Sequence, residues 1–364
     1  MGTNARRHGP AVITLFCVRP RGLNIGNDTI FVGLRHLLRG AFDGLVNIVQ
    51  VSAESGLDSR TIHEMNLYGH GVVIGGGNVY ENGKLSVDTN ALRALRPPLM
   101  LFSLSYGRIY DNLHELVRRT DAMPEALVLA LHERAALSLA RDDATLAYLR
   151  TLGLDWPLLG GCPSLLVNQI GSQIAAPAAA SGCLLAIRHP AQMSIPVRHQ
   201  MRLHATLVDM IAALDTSGAG PVRILCHDTR DVAFASSLAD IEYILADDVH
   251  AQLALLRAAA LVVTFRLHAF LPCVSFGTPA INISYDERSL SLVQTIGMES
   301  WDIDLIHSGD IVEEVRDRCG RLGDYQALRT AAEPRRNELE ATMRAQTAEF
   351  AKLVTAYASL QSSR

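Results

Sequence analysis

Ala11-Val-Ile-Thr-Leu-Phe-Cys-Val18, Ile30-Phe-Val-Gly-Leu-Arg-His-Leu-Leu-Arg39 and Val46-Asn-Ile-Val-Gln-Val51 follow one another near the start of the chain. The outer two are short apolar runs rich in Val, Ile and Leu, as strands buried on both faces of a parallel sheet require. The middle one repeats its apolar residues at three-to-four spacing, which predicts a helix. Strand, helix, strand in that order is the βαβ unit. The alternation continues with strands over 71–74, 99–104 and 137–140 and a helix over 111–119, so the first half is expected to be a doubly wound α/β domain.

The pattern pauses at 175–182, Ala-Ala-Pro-Ala-Ala-Ala-Ser-Gly, which carries no apolar period and reads as a linker. It then restarts, with strands over 183–187, 222–226, 242–245, 261–264 and 280–284 and helices over 201–214, 232–239 and 250–259. The tail 325–360 is rich in Ala, Glu, Arg and Leu, interrupted by Pro334, and predicts one or two long helices. The expected architecture is two Rossmann-like α/β domains facing a cleft, with a helical C-terminal tail. An acceptor-side domain spans 1–174, the linker 175–182, a donor-side domain 183–324 and the tail 325–364. Such pairs bind ligands in the cleft, at the carboxyl ends of the strands.

Composition agrees with a two-domain globular chain. The protein has 364 residues, 49% hydrophobic and 19% charged, and domains run to roughly 100–200 residues. With 33 Lys+Arg against 37 Asp+Glu the net charge is −4, and no basic run is present to neutralise a phosphate backbone, so nucleic acid is not an expected partner. No stretch approaches the ~20 apolar residues of a membrane span. Cys17, Cys162, Cys183, Cys226, Cys273 and Cys319 show no C-x-x-C spacing and read as reduced, mostly buried thiols of a cytosolic protein.

Five strand-end constellations could carry chemistry. Asn24-Ile-Gly-Asn-Asp28 follows the first strand, where Asp28 can cap a helix starting near Thr29 or the free N–H groups of its first turn can receive an anion. Gly75-Gly76-Gly77-Asn78 lets a ligand approach the backbone or simply makes a tight turn after its strand. It is not a Walker loop, because Leu85 stands where a Ser or Thr would bind magnesium, and no GxGxxG fingerprint occurs in either half. Arg188-His189-Pro190 puts a guanidinium fork at a strand end, suited to carboxylate or phosphate, with an exposed loop arginine as the alternative. In Cys226-His227-Asp228-Thr-Arg-Asp231, helix capping by an aspartate outweighs metal binding, and no metal is expected. Most informative is Arg266-Leu267-His268 at the end of an apolar strand, a permanent cation and a titratable imidazole two residues apart. Cys162 has no histidine near it in sequence and reads as a packed thiol.

Taken in order, these pieces resemble the polysaccharide pyruvyltransferase family over residues 12–305. The resemblance rests on Asn24 to Asp28, Val72-Val-Ile-Gly-Gly-Gly77, Arg141-Asp142 with Thr145, Leu149 and Gly153, and Ala186-Ile-Arg188. It continues through Asp231, Arg266-Leu267-His268, Gly277-Thr-Pro279 and Tyr285. Two departures stand out: Asn27 intervenes between Gly26 and Asp28, and Arg288 follows Tyr285 where the family often carries a lysine. The resemblance implies a GT-B-like fold and transfer of the enolpyruvyl unit of phosphoenolpyruvate onto a sugar as a pyruvate ketal, with release of phosphate and without a cofactor. It implies that Arg188 and Arg266 hold the donor with Leu267, His268 and Tyr285 beside them, and that Asn24, Asp28, Gly75, Gly76, Gly77 and Asn78 face the acceptor. His268 and Arg266 would be the catalytic pair. The acceptor would be a saccharide or lipid-linked oligosaccharide met in the cytoplasm, at the inner membrane face if lipid-linked, and homo-oligomer formation stays open. Two other readings share these residues: a GT-B glycosyltransferase using a nucleotide sugar, and a non-catalytic carbohydrate-binding or scaffold protein of polysaccharide assembly.

Overall fold

A computed structural model describes residues 12–42, 45–81, 83–175, 182–238 and 241–362. The first half supplies strands β1 (Ile13–Arg19), β2 (Val46–Ser52), β3 (Gly71–Gly77), β4 (Leu99–Leu104), β5 (Ile109–Tyr110), β6 (Leu116–Val117), β7 (Leu137–Ala140) and β8 (Leu158–Leu159). The second supplies β9 (Cys183–Ala186), β10 (Val222–Cys226), β11 (Tyr243–Leu245), β12 (Leu261–Thr264), β13 (Ala280–Ser284) and β14 (Asp302–Asp304). They form two six-stranded parallel sheets, ordered β2-β1-β3-β4-β7-β8 and β11-β10-β9-β12-β13-β14. β3, β4, β9, β12 and β13 are buried along their whole length, which is why they read as predominantly apolar runs.

Each sheet reverses its winding once, between β1 and β3 in the first and between β9 and β12 in the second. Ligands of open α/β sheets bind at such reversals, outside the carboxyl ends of the strands. Asn24 follows β1, Arg188 follows β9, and Arg266 and His268 follow β12, so both reversals contribute to the same cleft. The backbone N–H of Ile25 donates to the His227 carbonyl at 3.0 Å, joining the first sheet's reversal to the strand end of β10. Arg108 pairs with Glu287 at 2.6 Å, and the Asp143 N–H donates to Thr295 Oγ1 at 3.0 Å, holding the halves together elsewhere.

The tail forms helices Leu322–Ala331 and Glu333–Ser362, with Pro334 in the first turn of the second, where a missing N–H costs nothing. The long helix returns across the first half. Its Phe350 and Val354 share a core with Leu15, Leu34 and Phe102, and a Cβ added at Gly71 would lie 2.6 Å from Val354 Cγ2.

Four expectations change. Residues 111–119 are not a helix: β5 and β6 pair antiparallel, and Asp111 Oδ1 accepts from the N–H groups of Leu113 and Glu115, an Asx turn that outcompetes the helix. The glycines Gly75 to Gly77 extend β3 instead of leaving it as a loop. Asp28 caps nothing, because the first helix starts two residues earlier, at Gly26. The linker read at 175–182 falls mostly on residues 176–181, outside the described residues, and the helix read to 239 ends at Ala235.

The Gly26–Ala41 helix fixes the cleft floor by lying tight against the 3-10 segment Pro163–Gln173. A Cβ at Gly33 would sit 2.0 Å from the Pro163 carbonyl oxygen, whereas one at Gly40 on the same helix would meet nothing within 4 Å. Gly33→Ala is therefore expected to destabilise by about 1–3 kcal/mol or more through overpacking. Gly40→Ala should be neutral or stabilise by about 0.4–1 kcal/mol. Thermal melts of the two variants side by side check this, and equal melting would sink the packing argument.

Candidate active site

The cleft between the halves measures about 410 Å³ and is lined by six arginines and Lys84. Of the expected residues it brings together Asn24, Asn78, Arg188, Arg266, Leu267, His268 and Tyr285. It does not include Asp28, whose carboxylate turns aside to Arg19 Nη2 at 2.7 Å. Nor does it include Gly75, Gly76 or Gly77. Gly76 and Gly77 have φ of 71° and 87°, a region that favours glycine, and a Cβ at Gly76 would lie 2.1 Å from Ile30 Cγ2. The close approach these glycines permit is that of the first helix, not of a ligand.

Arg266 is 5% exposed and stands at the amino end of helix Leu267–Phe276, just past β12. Its Nε donates to the Ile187 carbonyl at 2.9 Å, and its Nη2 pairs with Asp231 Oδ2. Asp231 is anchored in turn by the backbone N–H groups of His189 at 2.9 Å and His227 at 3.2 Å. A buried guanidinium is thus locked in one orientation by a carboxylate that cannot itself move. Arg188 differs. Its Nε donates to the Gln192 carbonyl at 2.8 Å, and among the described residues no carboxylate lies within ion-pair distance of it. One cation fixed by a carboxylate and one without a direct ion-pair partner among the described residues share the wall.

His268 stands on the first turn of the same helix, partly open to the cleft. Its ring passes close to Gly26, where an added Cβ would lie 3.0 Å from His268 Cβ, and its Nε2 is 4.0 Å from Cys162 Sγ. Burial, followed by the positive fields of Arg141, Arg288 and Arg266, pushes the imidazole down to about 3, so the ring is neutral. Burial also raises the Cys162 thiol, which Arg141 only partly offsets, so it stays a protonated, unreactive thiol despite the nearby ring.

The run after β10 divides its labour. Asp228 caps helix Thr229–Ala235 by accepting from the Arg230 N–H, Asp231 holds Arg266, and His227 meets Gln252 at 3.3 Å through Nδ1. Burial, with Arg266 and His268 nearby, keeps His227 well below its ordinary value and so neutral.

Three further arginines line the cleft to which the sequence assigns no role at the site. Arg141 follows β7, is 2% exposed, and reaches Asp142, which caps helix Asp143–Thr151. Arg288 binds Asp286, and although burial alone would raise that carboxyl, Arg288, the Ser289 N–H and Arg188 together hold it below the usual range. Arg119 spans the halves, gripping Asp121 at 2.7 and 2.9 Å and donating to Ser194 Oγ at 3.1 Å. Arg141 and Arg288 stand in the motifs that carry the family resemblance, and their place after strands marks them as strand-end cations. Arg119 follows the two-residue strand β6, in a stretch whose apolar spacing reads as a helix, and so gives no such signal.

A cleft with this many guanidiniums, neutral histidines and amide side chains suits a small, multiply charged anion beside a polar, hydroxyl-rich partner. The family model described as Polysaccharide pyruvyl transferase matches residues 24–287. Among solved structures the chain is similar to UDP-N-acetylglucosamine 2-epimerase from Rickettsia bellii, at 13% identity and a TM-score of 0.56, covering 95% of this chain and 97% of that one. It is similar to the S. aureus MnaA-UDP structure at 11% identity and TM-score 0.55, covering 93% and 94%. The wall teichoic acid polymerase TagF matches at 10% identity and TM-score 0.50, covering 96% and 89%. At these identities the likeness carries the fold, which is GT-B-like.

Proposed function

The chain belongs to the polysaccharide pyruvyl transferase family, and from that premise we propose that this enzyme takes its pyruvyl group from phosphoenolpyruvate. The acceptor is a sugar of a bacterial-type surface polysaccharide or exopolysaccharide, or of its lipid-linked precursor. The observation that carries the donor reading is the pairing of Arg266, locked by Asp231, with Arg188, which has no carboxylate within ion-pair distance among the described residues. Phosphoenolpyruvate offers two anionic groups at fixed separation, and two guanidinium forks are the matching receptors.

In the reaction proposed, His268 delivers a proton to C3 of the enol and C2 becomes oxocarbenium-like. A first sugar hydroxyl adds to C2 and loses its proton. The C2–O bond to phosphate then breaks, and a second hydroxyl adds with loss of its proton to close the ketal. One donor and one diol give one ketal and one inorganic phosphate, with no cofactor or sugar nucleotide required. Arg266 and Arg188 hold the charge that builds on the departing phosphate. Asn24 and Asn78, from the first half, are proposed to meet the acceptor's hydroxyls.

No helix among the described residues is long and apolar enough to cross a membrane. The proposed place of action is the cytoplasm, or its membrane face if the acceptor is lipid-linked.

Thermal shift tests the donor. Phosphoenolpyruvate at a hundredfold excess over Kd should stabilise the wild type by about 3 kcal/mol, and UDP- or GDP-sugars should not. Arg188→Met should lose the response while melting normally without ligand. Stabilisation by nucleotide sugars alone would overturn the donor reading in favour of a glycosyltransferase.

A further inference from the structure

Glu81 lies in the turn after β3, behind the cleft wall, and is 1% exposed. Among the described residues, neither of its carboxylate oxygens has a hydrogen-bond partner. Arg119 Nε and Arg288 Nη1 approach Oε2, each at 3.6 Å, too far for a hydrogen bond. Both guanidiniums already have a carboxylate of their own, Asp121 for Arg119 and Asp286 for Arg288. The cluster therefore holds three carboxylates against two guanidiniums, with Arg141 the other charge acting on Glu81. Two of those carboxylates line the cleft directly, and Glu81 is the surplus one.

A buried carboxylate without hydrogen bonds is costly as an anion, and protonating it leaves the rest of the cluster neutral. Burial, opposed by Arg288, reinforced by Asp286 and opposed again by Arg119 and Arg141, raises the Glu81 carboxyl to about 7, where small changes in the cleft switch its charge. An anion entering on the far side of Arg288 and Arg119 competes with Glu81 for the same two guanidiniums.

We propose that Glu81 is the proton-exchanging positioning residue of the cleft, taking up a proton when an anionic substrate enters beside Arg288 and Arg119 and releasing it when the cleft empties. Protonated, it no longer draws the two guanidiniums inward, and they face the substrate. Ionised, it opposes the incoming anion. This rests on the reading of phosphoenolpyruvate as the anionic donor and adds that its binding carries a proton with it.

The test is calorimetric titration of phosphoenolpyruvate at neutral to mildly alkaline pH in buffers of different ionisation enthalpy, on wild type and Glu81→Gln. Wild type should take up more protons per ligand, by up to one. Between pH 7 and 8 its Kd should rise about fivefold more steeply than that of Glu81→Gln, the ligand's own titration cancelling in the comparison. Equal proton uptake and parallel Kd profiles would overturn the proposal. If Glu81→Gln does not fold, infrared difference spectra of the wild type decide: a protonated-carboxyl band must appear on binding, and its absence is equally fatal. Inorganic phosphate, run as a second ligand, separates the two inferences. Glu81-dependent uptake with inorganic phosphate but no binding of phosphoenolpyruvate sinks the donor reading alone. Binding of phosphoenolpyruvate without that uptake sinks only the role of Glu81, and failure of both anions to bind sinks both.

Discussion

Arg266→Lys is expected to lower the rate of phosphate release from phosphoenolpyruvate by about two to three orders of magnitude, the usual cost of removing one preorganised donor from a developing charge. The substitution keeps a positive charge beside Asp231 and so keeps the buried pair neutral. It removes the planar fork, whose Nε is fixed to the Ile187 carbonyl at 2.9 Å and whose Nη2 is fixed to Asp231. An ammonium can satisfy Asp231 or turn toward the substrate, but not both. Arg266→Ala should behave differently, because it strands Asp231, which is fully buried, without its counter-charge. Breaking a buried pair in this way costs about 3–5 kcal/mol, so that variant should melt far below wild type as well as being inactive. Activity and melting temperature measured on both variants separate the roles of charge and geometry. Retention of more than about a tenth of wild-type turnover by Arg266→Lys would show that the fork does not hold the reacting group.

The locking of Arg266 marks where the sequence could be read and where it could not. β12 and β9 were legible because a strand buried on both faces must be apolar along its length, and a charged residue ending such a run has to sit at the strand's carboxyl end. Arg188, Arg266 and His268 were found that way. The partner that orients Arg266 lies 35 residues upstream, and nothing local ties Asp231 to it. Cys162 and His268 are 106 residues apart in the chain yet Cys162 Sγ lies 4.0 Å from His268 Nε2, so the absence of a neighbouring histidine in sequence carries no information about the thiol's surroundings. Three glycines in a row announce either a tight turn or a close approach, and only packing reveals that Ile30 is what approaches at Gly76. Local chemistry lets Asp28 cap a helix or leave its N-terminus to an anion, but the helix starts at Gly26 and the carboxylate pairs with Arg19. Residues 111–119 carry apolar spacing compatible with a helix, but Asp111 closes a turn within four residues. Glu81 was invisible, since a glutamate in a turn is ordinarily solvated and only burial makes it unusual.

His268→Gln is expected to lower kcat by about two to four orders of magnitude while leaving the Kd for phosphoenolpyruvate nearly unchanged, the signature of a lost proton donor. Burial and then Arg141, Arg288 and Arg266 hold the ring at about 3. A neutral imidazole cannot protonate the enol. The donor's phosphate and carboxylate would offset the guanidiniums that depress the ring, so its pKa rises in the complex and the proton arrives with the substrate. The sign then follows: the acid must be protonated, so activity is present at low pH and is lost as pH rises through its pKa. Because kcat/KM reports the free enzyme and kcat the complex, the alkaline fall of kcat should lie at higher pH than that of kcat/KM, and His268→Gln should abolish the fall in kcat. Near-normal turnover in a folded His268→Gln would mean that another group supplies the proton. A kcat profile unchanged in shape by the substitution would say the same even if the rate were low, because a ring that only packs against Gly26 and Cys162 has no reason to set a pKa in the complex.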